Sequence, residues 1–162
     1  MATVTFNDGD EYLKKLATIE RGMQKEILGP AIYEGANVVA DAIAERLGGV
    51  PTDESWGSTG ELKNGPRKIE LKGLRKSLGI APLQDQDGYL NVKIGFDGYN
   101  EVKTKRWPNG QPNQMIARSV ERGTSFMKAN PVIKPAVAKT KKTAINTMKE
   151  VVDENIEKIM KG

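Results

Sequence analysis

One alternating stretch constrains the fold of this 162-residue chain more than any other. Apolar side chains stand at every second position, which is the period of a β-strand with one buried face: Leu90, Val92, Ile94 and Phe96. An aspartate-rich turn from Asp85 to Gly88 precedes this stretch, so residues 79–96 are predicted to form a hairpin. Because a hairpin alone is marginal in water, other elements must cover its apolar face.

Helical spacing of apolar residues appears before this hairpin. After a β-prone stretch at Thr3 to Phe6, the polar cluster Asn7 to Asp10 offers N-cap side chains for a first helix that reaches about Ile27. Gly29-Pro30 is expected to end this helix, and Pro30 then opens a second one that runs to Leu47. Small residues in this second helix would allow a close approach to whatever it packs on.

A long amphipathic helix is predicted after the hairpin, from Pro135 to about Met160. At about 1.5 Å per residue it would measure about 39 Å, longer than a small core requires. Its charges are ordered against the helix dipole, with cations in the first half and carboxylates in the second: Lys134, Lys139, Lys141 and Lys142, then Glu150, Asp153, Glu154 and Glu157. Either this face is merely solvated, or Lys141 and Lys142 meet acidic groups of another subunit head to tail.

Two polar segments read as long loops, residues 48–67 and 97–114. A short helix is predicted between the first loop and the hairpin, at Leu71 to Leu78, and a strand after the second loop, at Met115 to Val120. Trp56 is the only aromatic side chain of the first loop, and it either anchors a partner or folds back over the core.

Trp107 lies in the second loop beside cationic side chains: Lys103, Lys105 and Arg106. Cations next to an aromatic ring are one mark of single-stranded nucleic-acid binding. A hairpin tip that is solvated or contacts another subunit is the alternative.

These elements define an α+β fold class: two N-terminal helices and a long C-terminal helix packed on a small antiparallel or mixed β-sheet, with two long polar loops. The length suits a single domain over residues 1–162, with the C-terminal helix within 131–162. Apolar residues make up only 38% and aromatic residues 6% of the chain, so part of its stability is expected to come from neighbouring chains.

The composition argues against most enzyme classes, because the chain has neither cysteine nor histidine. It therefore lacks thiol nucleophiles and the commonest general base near neutral pH. No phosphate-binding loop, dinucleotide fingerprint or calcium-loop pattern is present in the sequence, and Glu101 and Glu121 alone make no catalytic motif for a carboxylate-based hydrolase. We expect no enzyme activity, no cofactor and no metal.

The partners that composition allows are broad. A net charge of +4 and an isoelectric point near 9.2 permit contact with nucleic acid or an acidic protein surface but require neither. No window reaches the roughly 18 consecutive apolar residues of a membrane span, and the first ten residues lack the pattern of a signal peptide. The expectation is a chain without a membrane partner that stays in the compartment where it is made.

Residues 116–125 contain the run Val-Glu-Arg-Gly-Thr, and residues 130–137 contain Pro-Val-Ile-Lys-Pro-Ala just before the long helix. These segments resemble a family of small tail-component proteins of long-tailed bacteriophages, which has a strand ending in Val-Glu-x-Gly-Thr and a Pro-Phe-x-x-Pro-Ala approach to a C-terminal helix. Residues 73–78 resemble its Gly-x-Leu-x-x-Ser-Ile element, and the order of elements agrees over nearly the whole chain. Val132 replaces the usual Phe, and Lys72 the usual Thr.

The resemblance implies a structural virion protein, namely a head-tail joining, neck or tail-completion subunit that forms a homo-oligomeric ring. Its partners would be adjacent head-closure, tail-terminator or tail-tube proteins, with genomic DNA passing through without sequence readout. The protein would be assembled in the host cytoplasm and located in the virion. The alternative function is a basic nucleic-acid-binding domain. The candidate interaction residues are Trp56, Arg106, Trp107, Glu121, Gly123, Thr124, Lys141 and Lys142.

Overall fold

The structure is a computed structural model that describes residues 2–5, 21–56 and 60–161. Within these residues the chain is α+β, as the sequence predicts, with four helices and a small antiparallel sheet of four strands. The helices are α1 (Arg21–Gly48), α2 (Lys68–Ser77), α3 (Asn113–Arg122) and α4 (Ile133–Lys161), and the strands are β1 (Ala2–Thr5), β2 (Leu78–Ile80), β3 (Gln84–Gln86) and β4 (Tyr89–Phe96).

The predicted strand at Leu90 to Phe96 is the centre of the sheet. On one side β4 pairs with β1, and on the other with β2 and β3, all antiparallel. The β3–β4 hairpin is confirmed, and it turns through Asp87 and Gly88 with φ values of 54° and 91°. Two consecutive positive φ values define the type I′ turn that suits the twist of a two-residue hairpin.

The core forms where α1 crosses the helix-facing side of the sheet and α4 packs along α1. Gly35 shows why these two helices approach closely, since a Cβ atom there would lie 2.6 Å from Cγ of Met148 in α4. The largest side chains that are fully buried come from three elements in the main: Ile27, Ile32, Ile43 and Leu47 of α1, Leu74 of α2, and Val92 and Ile94 of β4.

The predicted break at Gly29-Pro30 is wrong, because α1 runs through Pro30. A proline inside a helix removes one hydrogen bond and crowds the preceding turn, but here tertiary burial prevails over that local cost. Ile27 and Ala31, on either side of the predicted break, are 1% and 0% exposed. Asn155 of α4 also donates a hydrogen bond to the carbonyl of Ile27 at 3.4 Å, in the turn that Pro30 disturbs. The predicted first helix before residue 21 lies outside the described residues.

The predicted strand at Met115 to Val120 is also wrong, because these residues belong to α3. The buried residues of α3 are Asn113, Ile116, Ala117 and Val120, at the spacing of one helical face. The helix is followed by Gly123, whose backbone φ of 74° is one that residues other than glycine rarely adopt.

The predictions of the short helix and of the long C-terminal helix hold with small shifts of boundary. The short helix is α2, the long C-terminal helix is α4, and its 29 residues measure about 43 Å at about 1.5 Å each. The end of α4 outruns the core, since Met160 is 82% exposed. Neither polar loop contains a helix in its described part, except that Gly48 belongs to α1 and residues 113–114 belong to α3. None of the described helices is long and apolar enough to cross a membrane.

Candidate interaction surfaces

Glu121, predicted as an interaction residue, caps the start of α4. Its carboxylate accepts hydrogen bonds from the backbone N–H groups of Val132, Ile133 and Lys134 at 2.7, 2.8 and 2.9 Å. These N–H groups have no acceptor inside the helix, and the negative charge lies at the positive end of the helix dipole. Because the capping residue is remote in sequence from the helix it caps, no local helix-start pattern predicts it.

Gly123 and Thr124 complete the same corner. A Cβ atom on Gly123 would lie 2.8 Å from the backbone nitrogen of Ala129, so only glycine fits. The hydroxyl of Thr124 accepts hydrogen bonds from the N–H groups of Phe126 and Met127, both at 3.1 Å. The residues that carry the resemblance to phage tail components therefore fix the connection between α3 and α4, and their first role is structural.

Trp56 folds back onto the core edge, which is one of the two alternatives that the sequence left open. Its ring is half-buried against the core, its Nε1 donates to the carbonyl of Gly65 at 3.3 Å, and the guanidinium of Arg67 lies 6.0 Å from the ring centre. A side chain held in this way contributes to the fold of its own loop.

A polar cluster that the sequence analysis missed organises the first loop. The carboxylate of Asp53 accepts hydrogen bonds from the side chain and backbone of Ser55 and from the backbone of Asn64, and these contacts lower the pKa of Asp53 to about 2. Lys63 is only 7% exposed and donates from Nζ to the Ser55 carbonyl at 2.7 Å and to its hydroxyl at 3.1 Å. The Ser55 hydroxyl itself donates a hydrogen bond to Asp53. The contact between Ser55 and Lys63 therefore stabilises the conformation of the loop.

A buried pair of amides holds the second loop. Asn100 donates from Nδ2 to Oδ1 of Asn113 at 3.1 Å and to the carbonyl of Glu70 at 3.2 Å. Asn113 in turn donates to the carbonyl of Asp97 at 3.0 Å. Gly73, part of the family-like element, makes room for this pair, since a Cβ atom there would lie 2.2 Å from Nδ2 of Asn100.

The tip of the second loop is a tight turn. The backbones of Thr104 and Trp107 exchange two hydrogen bonds of 3.1 Å, which places Lys105 and Arg106 at the exposed tip. Trp107 is half-buried, and the guanidinium of Arg106 lies 5.9 Å from its ring centre. Since one face of this ring already has a cationic neighbour, the site is less open to a stacking base than the sequence suggests.

A groove of about 800 Å³ lies where α3, the start of α4 and the end of β4 meet. Phe96, Met115 and Ile133 contribute apolar lining, and we call this site the basic groove because its lining also carries exposed cations: Arg118, Arg122 and Lys134. With the carboxylate of Glu121, three cations and one anion give the groove a net charge of +2. None of the three cations forms an ion pair with a described residue.

The β3–β4 hairpin presents the opposite charge. All residues from Gln84 to Tyr89 are exposed, and we call them the acidic tip because Asp85 and Asp87 are its only charged members. Oδ1 of Asp85 accepts a hydrogen bond from the N–H of Gly88 at 2.9 Å, which stabilises the turn. Tyr89 closes the tip with 68% of its surface exposed. The turn was predictable from the sequence, but its exposure was not.

Lys141 and Lys142 are exposed on α4, so both are accessible to another chain. Within the residues that the structure describes, no group of three or more acidic side chains is arranged to hold a metal ion.

Comparison with protein-family models, with curated proteins and with solved structures finds no match for this chain.

Proposed function

We propose that this protein is a structural subunit of a tailed phage or prophage, which joins head and tail or completes the tail as a ring-forming neck component without enzymatic activity. The observation that carries the proposal is the placing of exposed aromatic side chains at both ends of the central strand. Tyr89 begins β4 and is 68% exposed, and Tyr99 follows its end and is 69% exposed. Exposed aromatic residues favour contacts with other chains.

Contacts at two different ends suit a ring. A subunit that offers one surface to its left neighbour and another to its right forms a heterologous interface, which closes into a ring when the rotation between copies allows it. The long helix α4 adds a further surface, since its last turns extend beyond the core.

The resemblance to small phage tail components supports the same function. The connection between α3 and α4 is fixed by Glu121, Gly123 and Thr124. This motif therefore has a physical role in a scaffold of this kind. The helix α3 replaces the strand that the family pattern has before this motif, which limits the support to the corner and the elements around it.

Deletion of the gene in the phage or prophage that encodes the chain is the direct test. We expect electron microscopy of lysates to show filled heads and free tails, or tails of abnormal length, and complementation with the intact gene to restore joined particles. Mass spectrometry of purified wild-type particles should detect the chain. Normal, infectious particles from the deletion strain would exclude this function.

A further inference from the structure

We propose that the acidic tip of one copy docks into the basic groove of the next copy of this chain. The inference rests on the proposed function for its biological context, and it identifies the partner and the two surfaces. Its basis is a matched pair of sites on one molecule: a tip of net charge −2 and a groove of net charge +2.

The two sites are complementary in shape and polarity as well as in charge. The tip is a narrow hairpin with an exposed tyrosine beside its turn, and the groove is concave with an apolar lining between cationic side chains. Tyr89 can contact Met115 and Ile133 while Asp85 and Asp87 approach the arginines. The cations of the groove have no competing ion pair within the described part of the chain.

A copy cannot fill its own groove. The tip lies at the first residue of β4, whereas Gly95 and Phe96 at its last residues line the groove. Seven residue steps at about 3.3 Å separate the two ends by about 23 Å along a paired strand. The tip must therefore come from another molecule, and a tip-to-groove contact repeated from copy to copy is heterologous.

The contact is small, so it is expected to set register more than to supply affinity. Six tip residues bury less than the roughly 1,000 Å² that a stable interface needs, and other surfaces of the ring must contribute. Charge complementarity of this kind mainly accelerates association and excludes wrong orientations.

Engineered cysteines test the contact directly, because the native chain has none. Gln86→Cys places a thiol on the exposed tip, and Gln114→Cys places one on the lining of the groove without removing any of its three cations. A chain with both changes should give a ladder of covalent oligomers under mild oxidation or with a short bismaleimide. Gln86→Cys combined with Lys158→Cys, at the far end of α4, is the matched control and should give no ladder.

Mixing two variants that carry one cysteine each tests whether one tip contacts one groove at each interface. Gln86→Cys mixed with Gln114→Cys should stop at covalent dimers, because each interface uses one tip and one groove. Asp85→Asn with Asp87→Asn in the double-cysteine chain removes the tip charge but keeps side chains that suit the turn. This change should slow cross-linking about tenfold at low salt and much less at high salt, where charges are screened. Glu150→Gln with Glu154→Gln, which removes two charges from α4, should leave the rate unchanged.

Each result has a definite meaning. Rings seen by sedimentation or microscopy without the tip-to-groove ladder overturn this inference and leave the proposed function standing. Dimers from Gln86→Cys alone indicate a symmetric tip-to-tip contact and also overturn it. A ladder from a protein whose gene deletion leaves particles intact would support the contact and remove the phage function.

Discussion

Three carboxylates among the described residues accept hydrogen bonds from backbone N–H groups at the start of a helix. Glu54 accepts from Lys68 and Glu70 from Arg67, both at 2.8 Å, and these two cap α2. Glu121 does the same for α4. A carboxylate at a helix N-terminus satisfies donors that lack partners and matches the helix dipole. Individual acidic residues therefore decide where two of the four described helices begin.

Glu121→Ala should destabilise the protein by about 2 kcal/mol, since it removes a charged acceptor from three N–H groups. Glu121→Gln should cost about half as much, because its amide oxygen can still accept. Urea denaturation followed by circular dichroism measures both values. Glu150→Ala, an exposed change on α4, serves as control, and an equal effect of Glu121→Ala and Glu150→Ala would contradict the capping role.

Asp53 should make stability depend on acid pH. Its pKa is about 2 in the folded chain against 3.8 ordinarily, so the folded state favours the ionised form. The resulting stability is fully present above about pH 4 and is lost as the pH falls to about 2. We therefore expect the stability advantage of the native chain over Asp53→Asn to shrink across this window.

Denaturation curves of the native chain and Asp53→Asn, measured at intervals between about pH 5 and pH 2, check this dependence. Asp41→Asn, at an exposed position of α1, is the matched control for the removal of one carboxylate. A constant difference between the native chain and Asp53→Asn at every pH would refute the assignment.

At the scale of elements, the continuity of α1 through Pro30 makes a prediction that separates the structure from the sequence pattern. If Pro30 is inside a helix, Pro30→Ala should stabilise the protein by about 2 kcal/mol, because alanine restores the missing hydrogen bond and removes a steric clash. The more flexible unfolded chain offsets part of this gain. Thermal or urea denaturation measures the change.

Pro108→Ala, at an exposed loop position, is the control for the general effect of losing a proline and should be neutral or slightly destabilising. The same result for Pro30→Ala would mean that Pro30 begins a helix, as the sequence pattern alone indicates.

Two of the elements that the sequence predicted correctly have a long or strict period. β4 alternates over four apolar positions, and α4 keeps one apolar stripe over about seven turns. The ten residues of α3 are too few for the period alone to distinguish helix from strand, and Pro30 was misread because burial by distant residues outweighs local propensity.

The candidate surfaces were less predictable than the fold. The basic groove is lined by residues that are separated in sequence, such as Phe96, Arg118 and Ile133. No local sequence motif therefore predicts it. Trp56 and Trp107 were predicted as interaction residues, but only the tertiary structure shows that both rings are half-buried and that Trp56 packs against the core.

At the scale of the whole molecule, charge is divided between separate surfaces. The acidic tip and the basic groove lie at opposite ends of β4, and α4 carries its own division between a basic first half and an acidic second half. Because the two ends of the molecule carry opposite charges, one end of a copy can attract the other end of the next copy. This arrangement suits head-to-tail assembly better than a symmetric dimer.

Replacing Lys141 and Lys142 by glutamate tests whether α4 takes part in the proposed head-to-tail assembly. Both residues are exposed, so the double variant should keep the thermal stability of the native chain within about 0.5 kcal/mol. We expect it to slow or block higher-order assembly, because Lys141 and Lys142 would face acidic groups of another chain. Exposed pairs contribute only about 0 to 1 kcal/mol each, so the effect should be on register and rate and should be largest at low salt.

Sedimentation velocity or light scattering, with the proposed tail partners present, measures the assembly of this variant. Lys158→Glu with Lys161→Glu changes the charge of the same helix by the same amount in its last turns, and this variant should assemble as the native chain does. Both double variants have the same overall charge. A difference in their assembly is therefore due to the position of the substitutions and not to the net charge. Normal assembly of the Lys141 and Lys142 variant at low salt would show that the basic half of α4 faces only solvent, and the contacts between copies would then lie elsewhere on the molecule.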